Sequence, residues 1–394
     1  LQRRLVPPDA ASERTFTWAK QLPSGSRRPD VHRPLSKVQA DLAKEGLHVD
    51  SATSTGGLSL VDLVPSHDHL VLSGSKAPQN GFVGWSRQSY RLAAVRLPVD
   101  VPVLCYHRVL PADHSDCVSA FQRRRGTVVD LAVFKQQVDD LVRHFKPVSM
   151  REYLAWLDGG TELPTNACLV TFDDAYRDFV DVALPLLAER RIPSVLFSTM
   201  CAATGAGLLP VDSLYSALAI AHEAGRITAD ECIDWTSGSR KRAFIRATAE
   251  EQDRLMAAAN LQPSGVSTKD LYLTESDLIG LPADLVQLGG HGVSHELLET
   301  RDLSFLRREL RQTRFWLEHL NRQRGAAGLV IAYPNGAQDS PAIAATIEAG
   351  FEAAFTVAPW QQGRWAHRWA LRRSCIPNRS EAVRELADGK EVRL

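Results

Sequence analysis

Cysteine is scarce in this chain and forms no C-x-x-C pair: Cys105, Cys117, Cys168, Cys201, Cys232 and Cys375 are spread over 394 residues. Several stand in apolar, strand-like runs. That points to buried free thiols rather than a disulfide framework, and it favours a reducing, cytoplasmic compartment over a secreted one. No apolar stretch reaches the roughly 18 residues that a membrane-spanning helix needs, so no transmembrane segment is expected. There is no surplus of either charge, with 46 Lys and Arg against 46 Asp and Glu. A balanced chain is a poor partner for nucleic acid or another polyanion. Repeat periodicity and low-complexity tracts are also missing. Residue 1 is Leu, not Met, so the lack of a signal peptide says little about processing. Nothing in the sequence sets the oligomeric state.

What remains is a globular composition, 44% apolar and 23% charged, with enough length for a large core and two domains. Residues 1–98 read as an N-terminal appendage of small α+β character or a partly ordered lead-in. A helix is expected around 35–45, with short strands at 58–64 and 69–72. His67-Asp68-His69 reads as a turn between strands rather than a metal site.

From residue 99 the pattern sharpens into alternating strands and helices. Strands are expected at 101–106, 167–172, 194–198, 285–288, 328–333, 351–357 and 369–376. Between them lie helical stripes such as Leu131, Phe134, Val138 and Leu141, opened by Asp130, and a capping box at Ser149-Met-Arg-Glu152. Asp302 is expected to cap a long helix, and Ser340-Pro341 to start another that Gly350 ends. Residues 201–282 interrupt the rhythm as a helical insertion, a place where such folds vary and substrate choice resides. Residues 379–394 read as a C-terminal tail. The alternation predicts an α/β fold with a parallel sheet, open or closed into a (β/α) barrel.

Four of the strand-like runs end on unusual residues: His107, Asp173-Asp174, His291, and Tyr333-Pro334-Asn335. In parallel sheets and barrels the C-terminal strand ends form one rim, and active sites sit there. Adjacent carboxylates repel, so a cation is expected beside Asp173 and Asp174. His291 and His295, four residues apart, face the same way if that segment turns helically, and imidazole with carboxylate suits a divalent metal. Taken singly, the paired aspartates read more often as a helix cap and His107 as a structural histidine. Tyr176 and Phe179 read as core. Trp360, Trp365 and Trp369 suit either a sugar-stacking wall or ordinary core anchors.

The stretches Pro102-Val-Leu-Cys-Tyr-His-Arg-Val109, Thr171-Phe-Asp-Asp174, His291-Gly-Val-Ser-His295 and Ala332-Tyr-Pro-Asn-Gly336, with a weaker Leu371-Arg-Arg-Ser-Cys-Ile376, resemble the polysaccharide deacetylases of the NodB-homology type, carbohydrate esterase family 4. The resemblance spans residues 99–378. It is closest to members with a circularly permuted look, which open on a Tyr-His-x-Val strand. It implies a distorted (β/α) barrel and metal-assisted removal of an N-acetyl group from an amino sugar such as N-acetylglucosamine. By motif position Asp174, His291 and His295 would hold one divalent transition metal, zinc first, with Co, Ni, Fe or Mn as alternatives. Asp173 would be the general base. His107 would be the general acid, because no histidine follows His367 to supply the usual C-terminal one. Arg373, or Arg372 in the other register, would keep Asp173 ionised, and the backbone N–H of Asn335 would help hold the oxyanion. Two departures concern the pocket: Ala175 replaces a usual Gly, and Asn335 a common aromatic. They leave open a catalytically silent carbohydrate-binding protein, and the acyl group leaves open a deformylase. A scaffold or processing role for residues 1–98 is a further alternative.

Overall fold

The computed structural model describes residues 101–392 apart from 263–265, 300 and 358–367, together with the backbone of four short strands before residue 101. The chain divides into two units, residues 1–98 with 364–367, and residues 99–363 with 368–394. In the first, Thr15–Phe16 pairs with Arg33–Pro34, and His48–Ala52 with Val61–Val64, both antiparallel. The helix expected over 35–45, the strand at 69–72, the His67-Asp68-His69 cluster, Trp360 and Trp365 lie outside the described residues.

The second unit is a closed parallel barrel of seven strands. They are β1 (Val103–Tyr106), β2 (Ala167–Phe172), β3 (Ser194–Ser198), β4 (Val286–Gly290), β5 (Val330–Ala332), β6 (Ala353–Val357) and β7 (Leu371–Cys375). Spatial order equals chain order, and the ring closes where β7 pairs with β1 through Ser374↔Leu104 and Cys375↔Cys105. This is the parallel α/β architecture the alternation predicts, closed into the (β/α) barrel that the resemblance implies. It is distorted in one place: β4 and β5 share a single residue pair, Gly290↔Ile331. Strands β1, β2 and β3 are buried along their whole length, as expected of strands covered on both faces.

The helices between strands follow local chemistry, with two exceptions. Helix α1 (Leu131–His144) starts after Asp130, but the Asp130 carboxylate makes no cap; it is held by Arg123 and by Asn378 Nδ2. Helix α2 (Met150–Leu157) has the expected capping box, Ser149 with Glu152. Helix α7 (Leu303–Gln323) is capped by Asp302, which accepts from the Phe305 N–H at 2.9 Å. Before α8 (Ser340–Ala349) the cap is Asp339, one residue earlier than expected, and left-handed Gly350 closes the helix. Phe179–Ala183 forms a π-helical turn ahead of the helix Leu184–Glu189. Residues 379–394 are more than a tail: the helix Ala382–Ala387 buries Ala382, Val383 and Leu386, and Arg384 pairs with Asp140 on α1.

The insertion carries α3 (Pro210–Glu223), α4 (Ala229–Thr236), α5 (Gly238–Arg246) and α6 (Ala249–Ala258), with shorter helices at Thr268–Leu271 and Glu275–Gly280. It has its own apolar core, including Leu214, Leu218, Trp235, Phe244 and Met256. A buried polar network joins it to the barrel. Arg108, just past β1, donates to Asp178 at 2.7 Å, Gln122 at 2.8 Å and Asp116 at 3.0 Å. Gln122 donates in turn to Asp212 on α3 at 2.8 Å and to the Tyr176 hydroxyl at 3.0 Å. Tyr176 and Tyr272 each donate to Asp212 at 2.6 Å. Tyr176 and Phe179 are both buried; the Tyr176 ring packs while its hydroxyl joins this network. Trp369 is half-buried. Its indole donates to Phe351 O at 3.0 Å, and its carbonyl accepts from the Tyr333 hydroxyl at 2.9 Å. No helix among the described residues is long and apolar enough to cross a membrane.

Candidate active site

The C-terminal ends of β1, β2, β4 and β5 bring His107, Asp173-Asp174, His291 and Pro334-Asn335 to one rim, as a parallel ring must. Arg373 reaches the same place from within β7. Alternate strand residues face opposite sides, so only one of the adjacent arginines turns into the barrel. It is Arg373, fully buried, whereas Arg372 is half-buried.

Arg373 grips Asp173 with both ends of its fork, Nη1 to Oδ1 at 2.6 Å and Nη2 to Oδ2 at 2.7 Å. The guanidinium also donates to Thr171 Oγ1 at 3.3 Å and lies 5.1 Å from the Phe197 ring centre. Burial alone would push the Asp173 carboxyl up. The Arg373 charge overrides it and holds the group far below the usual carboxylate range, so Asp173 is ionised throughout the neutral range.

Asp174, His291 and His295 each present a ligand atom, and the three atoms lie within 4.8 Å of one another. His295 Nε2 is 3.3 Å and His291 Nε2 3.6 Å from Asp174 Oδ1. His291 Nδ1 lies 2.8 Å from the carbonyl of Ala332. A carbonyl only accepts, so this contact puts the ring proton on Nδ1 and leaves the Nε2 lone pair facing Asp174. Burial, partly offset by Asp173, lowers His291 to about 4; its ring is neutral at neutral pH. Asp174 Oδ1 is buried and within ion-pair reach of both rings, yet no donor meets it with hydrogen-bond geometry. Three lone-pair donors converging on one point, with a buried oxygen left unsatisfied among them, is the arrangement a divalent cation satisfies. The residues fit such an ion.

His291 and His295 do not face one another by helical spacing. The segment is an irregular loop in which Gly292 (φ 87°) and His295 (φ 59°) take left-handed conformations. Glu309 on α7 shapes it: Oε1 accepts from the backbone N–H of Val293 at 2.8 Å, the N–H of Ser294 at 2.9 Å and the Ser294 hydroxyl at 3.0 Å. The loop can lie this close because β4 ends in glycine; a Cβ on Gly290 would sit 2.5 Å from Thr313 Cγ2. Glu309 escaped the sequence reading. Its signal was an acid on the apolar stripe of α7, between Leu306 and Leu310.

Asp174 (φ 70°), Ala175 (φ 52°), His295 and Asn335 (φ 53°) are four of the six described non-glycine residues with left-handed backbone. Such strain persists where surrounding structure over-determines it, commonly at functional sites. Asn335 sits exposed in the short turn Pro334–Gly336. His107 is half-buried, and a ring nitrogen lies within 4.8 Å of both the Asp173 carboxylate and the Cys105 sulfur. All seven expected site residues therefore belong to this rim, Asn335 at its outer edge. Beside it the insertion encloses a cavity of about 550 Å³, lined in part by Cys201, Leu208, Phe244 and Met256 and reaching Ser294 in the His291–His295 loop.

The chain matches no family model, and no curated protein matches it in sequence. It is similar in structure to the deacetylase PplD of Streptococcus pyogenes, solved in complex with acetate: 17% identity, 74% of this chain, 98% of that chain, TM-score 0.48. IcaB from Ammonifex degensii gives 18% identity over 74% of this chain and 96% of that one, at a TM-score of 0.47. A de-N-acetylase from Aggregatibacter actinomycetemcomitans gives 14%, 69%, 93% and 0.47. The likeness extends no further than the course of the chain.

Proposed function

We propose that this protein is a metal-dependent hydrolase that removes an N-acetyl group from an amino sugar carried in a polysaccharide, glycolipid or glycosylated metabolite. One observation carries the reading: the Asp174, His291 and His295 ligand atoms gather within 4.8 Å, directly beside an aspartate locked to a buried arginine. Asp174, His291 and His295 would hold one divalent transition metal, zinc first. When bound, that ion supplies Lewis-acid polarisation of the amide carbonyl and a lowered pKa for the attacking water.

The remaining steps belong to the chain. Asp173, kept ionised by Arg373, takes a proton from the water as it attacks the acyl carbon. Arg373 fixes both carboxylate oxygens, so the base is oriented before substrate arrives. The backbone N–H of Asn335 at the rim donates to the developing oxyanion. His107, across from Asp173, donates a proton to the leaving amine nitrogen, and the C–N bond breaks to give a carboxylic acid and a free amino sugar.

The test is metal content of purified wild type and Asp174→Ala by mass spectrometry, paired with release of acetate from N-acetylglucosamine oligomers. One equivalent more of transition metal in the wild type than in the variant, together with acetate release by the wild type alone, supports the reading. Metal-free wild type that stays inert after reconstitution would favour a carbohydrate-binding protein.

A further inference from the structure

The proposed chemistry leaves two buried thiols beside its own base unused. Cys105, on β1, has its sulfur 3.6 Å from Asp173 Oδ2. Cys375, on β7, is its partner in register across the barrel seam, so the two residues stand side by side on neighbouring strands. Cys105 Sγ, a His107 ring nitrogen and an Asp173 oxygen lie within 4.8 Å of one another. We propose that Cys105, His107 and Asp173, with Cys375 as fourth donor, form a second metal site, adjacent to the Asp174/His291/His295 set and selective for a thiophilic divalent ion of the zinc or cadmium class.

Donor type, spacing and charge support this. Two sulfurs, an imidazole and a carboxylate are a tetrahedral zinc set, whereas the first site offers no sulfur. In such a set the donors stand about 3.3–3.8 Å apart, given metal–ligand bonds of about 2.0–2.3 Å, so side-chain adjustments of about an ångström close the spacing of Cys105, His107 and Asp173. Both Asp173 oxygens already accept from Arg373, but each keeps a second lone pair. The charges also balance. Two thiolates and one carboxylate offset Arg373 and a dication, and the two thiol protons leave to solvent when the ion enters. His107, the one half-buried member, gives the ion its way in. Ordinary packing of small apolar thiols is the competing account, and it predicts no metal chemistry at all.

The existence of this site is independent of the deacetylase reading; its consequence rests on it. An ion held by Asp173 and His107 occupies the proposed base and acid together, so excess thiophilic metal would arrest turnover that the first equivalent supports.

Cobalt(II) titration of the reduced, metal-stripped chain tests the site, because thiolate coordination gives a near-ultraviolet charge-transfer band that Asp/His coordination lacks. Wild type should take up two equivalents and show the band. Asp174→Ala should take up one and keep it. Cys105→Ser should take up one and lose it, and Cys375→Ser should weaken it by about half, with circular dichroism confirming each fold. Folded wild type without the band at any loading would overturn the proposal, whether or not Cys105→Ser folds. So would a band that survives loss of both thiols. A wild type that shows the band but binds a single equivalent, unchanged by Asp174→Ala, would sink the first site and leave the second standing.

Discussion

Two buried polar clusters lie within a few residues of each other on this chain, and they are built on opposite terms. The network of Arg108, Asp116, Gln122, Tyr176, Asp178, Asp212 and Tyr272 is complete: none of its buried side-chain polar atoms lacks a partner. The rim cluster that begins at Asp173 and Asp174 is not, since Asp174 Oδ1 is buried with no hydrogen bond and two imidazole nitrogens converge on it. A satisfied network specifies how pieces pack. An unsatisfied one costs stability unless something arrives to fill it. Here the satisfied cluster fixes the insertion to the barrel, and the unsatisfied one sits where the chemistry is expected.

Substitutions can break this contrast or sharpen it. Asp174→Ala should abolish turnover and lose the metal equivalent held with His291 and His295. The metal-free variant should nevertheless unfold at or above the temperature of metal-free wild type, because a buried, unpartnered oxygen has gone. A strongly destabilised variant would mean that the rim is structural too. Arg108→Met should do the reverse. It strands Asp178 as an uncompensated buried charge, which costs roughly 3–5 kcal/mol, visible in denaturant unfolding, while the metal equivalent is retained. Glu309→Gln tests the loop between the two: weakening its grip on Val293 and Ser294 should lower metal affinity about 10–100-fold, as loss of outer support does, with a much smaller stability loss. Ala175→Gly should give the smallest effect, a gain of about 1 kcal/mol in thermal unfolding, because a left-handed backbone burdens any residue with a Cβ.

Much of this contrast was legible beforehand, and its limits are instructive. Strands such as β1, β2, β3 and β5 show as apolar runs, since strands buried on both faces carry no alternation to blur them, whereas β7 carries Arg372, Arg373 and Ser374. The rim residues show because each run ends abruptly on a polar group. Arg373 and Arg372 stayed ambiguous, since two adjacent strand residues are equally good cations and only the facing side chain decides. The His291–His295 spacing suggested a helical turn, but an acid from α7 imposes a left-handed loop that no local pattern encodes. The Asp212 network was illegible for a related reason. Two residues into a helix opened by Pro210, Asp212 looks like an ordinary first-turn acid, and only tertiary packing brings Tyr176 and Tyr272 onto it. Asp130 failed as a cap because Arg123 and Asn378 claim its carboxylate.

The closure of the barrel by its last strand bears on how the protein is made. Asp173 directly follows the second strand and its counter-ion stands on the seventh, 200 residues later in the chain. While synthesis is under way, a partial barrel leaves the Asp173 carboxylate without its guanidinium partner. Asp173 gains Arg373 only when β7 docks between β6 and β1, the same event that closes the ring. If Asp173 serves as the proposed base, competence for that chemistry and protection from edge-to-edge association therefore arrive together.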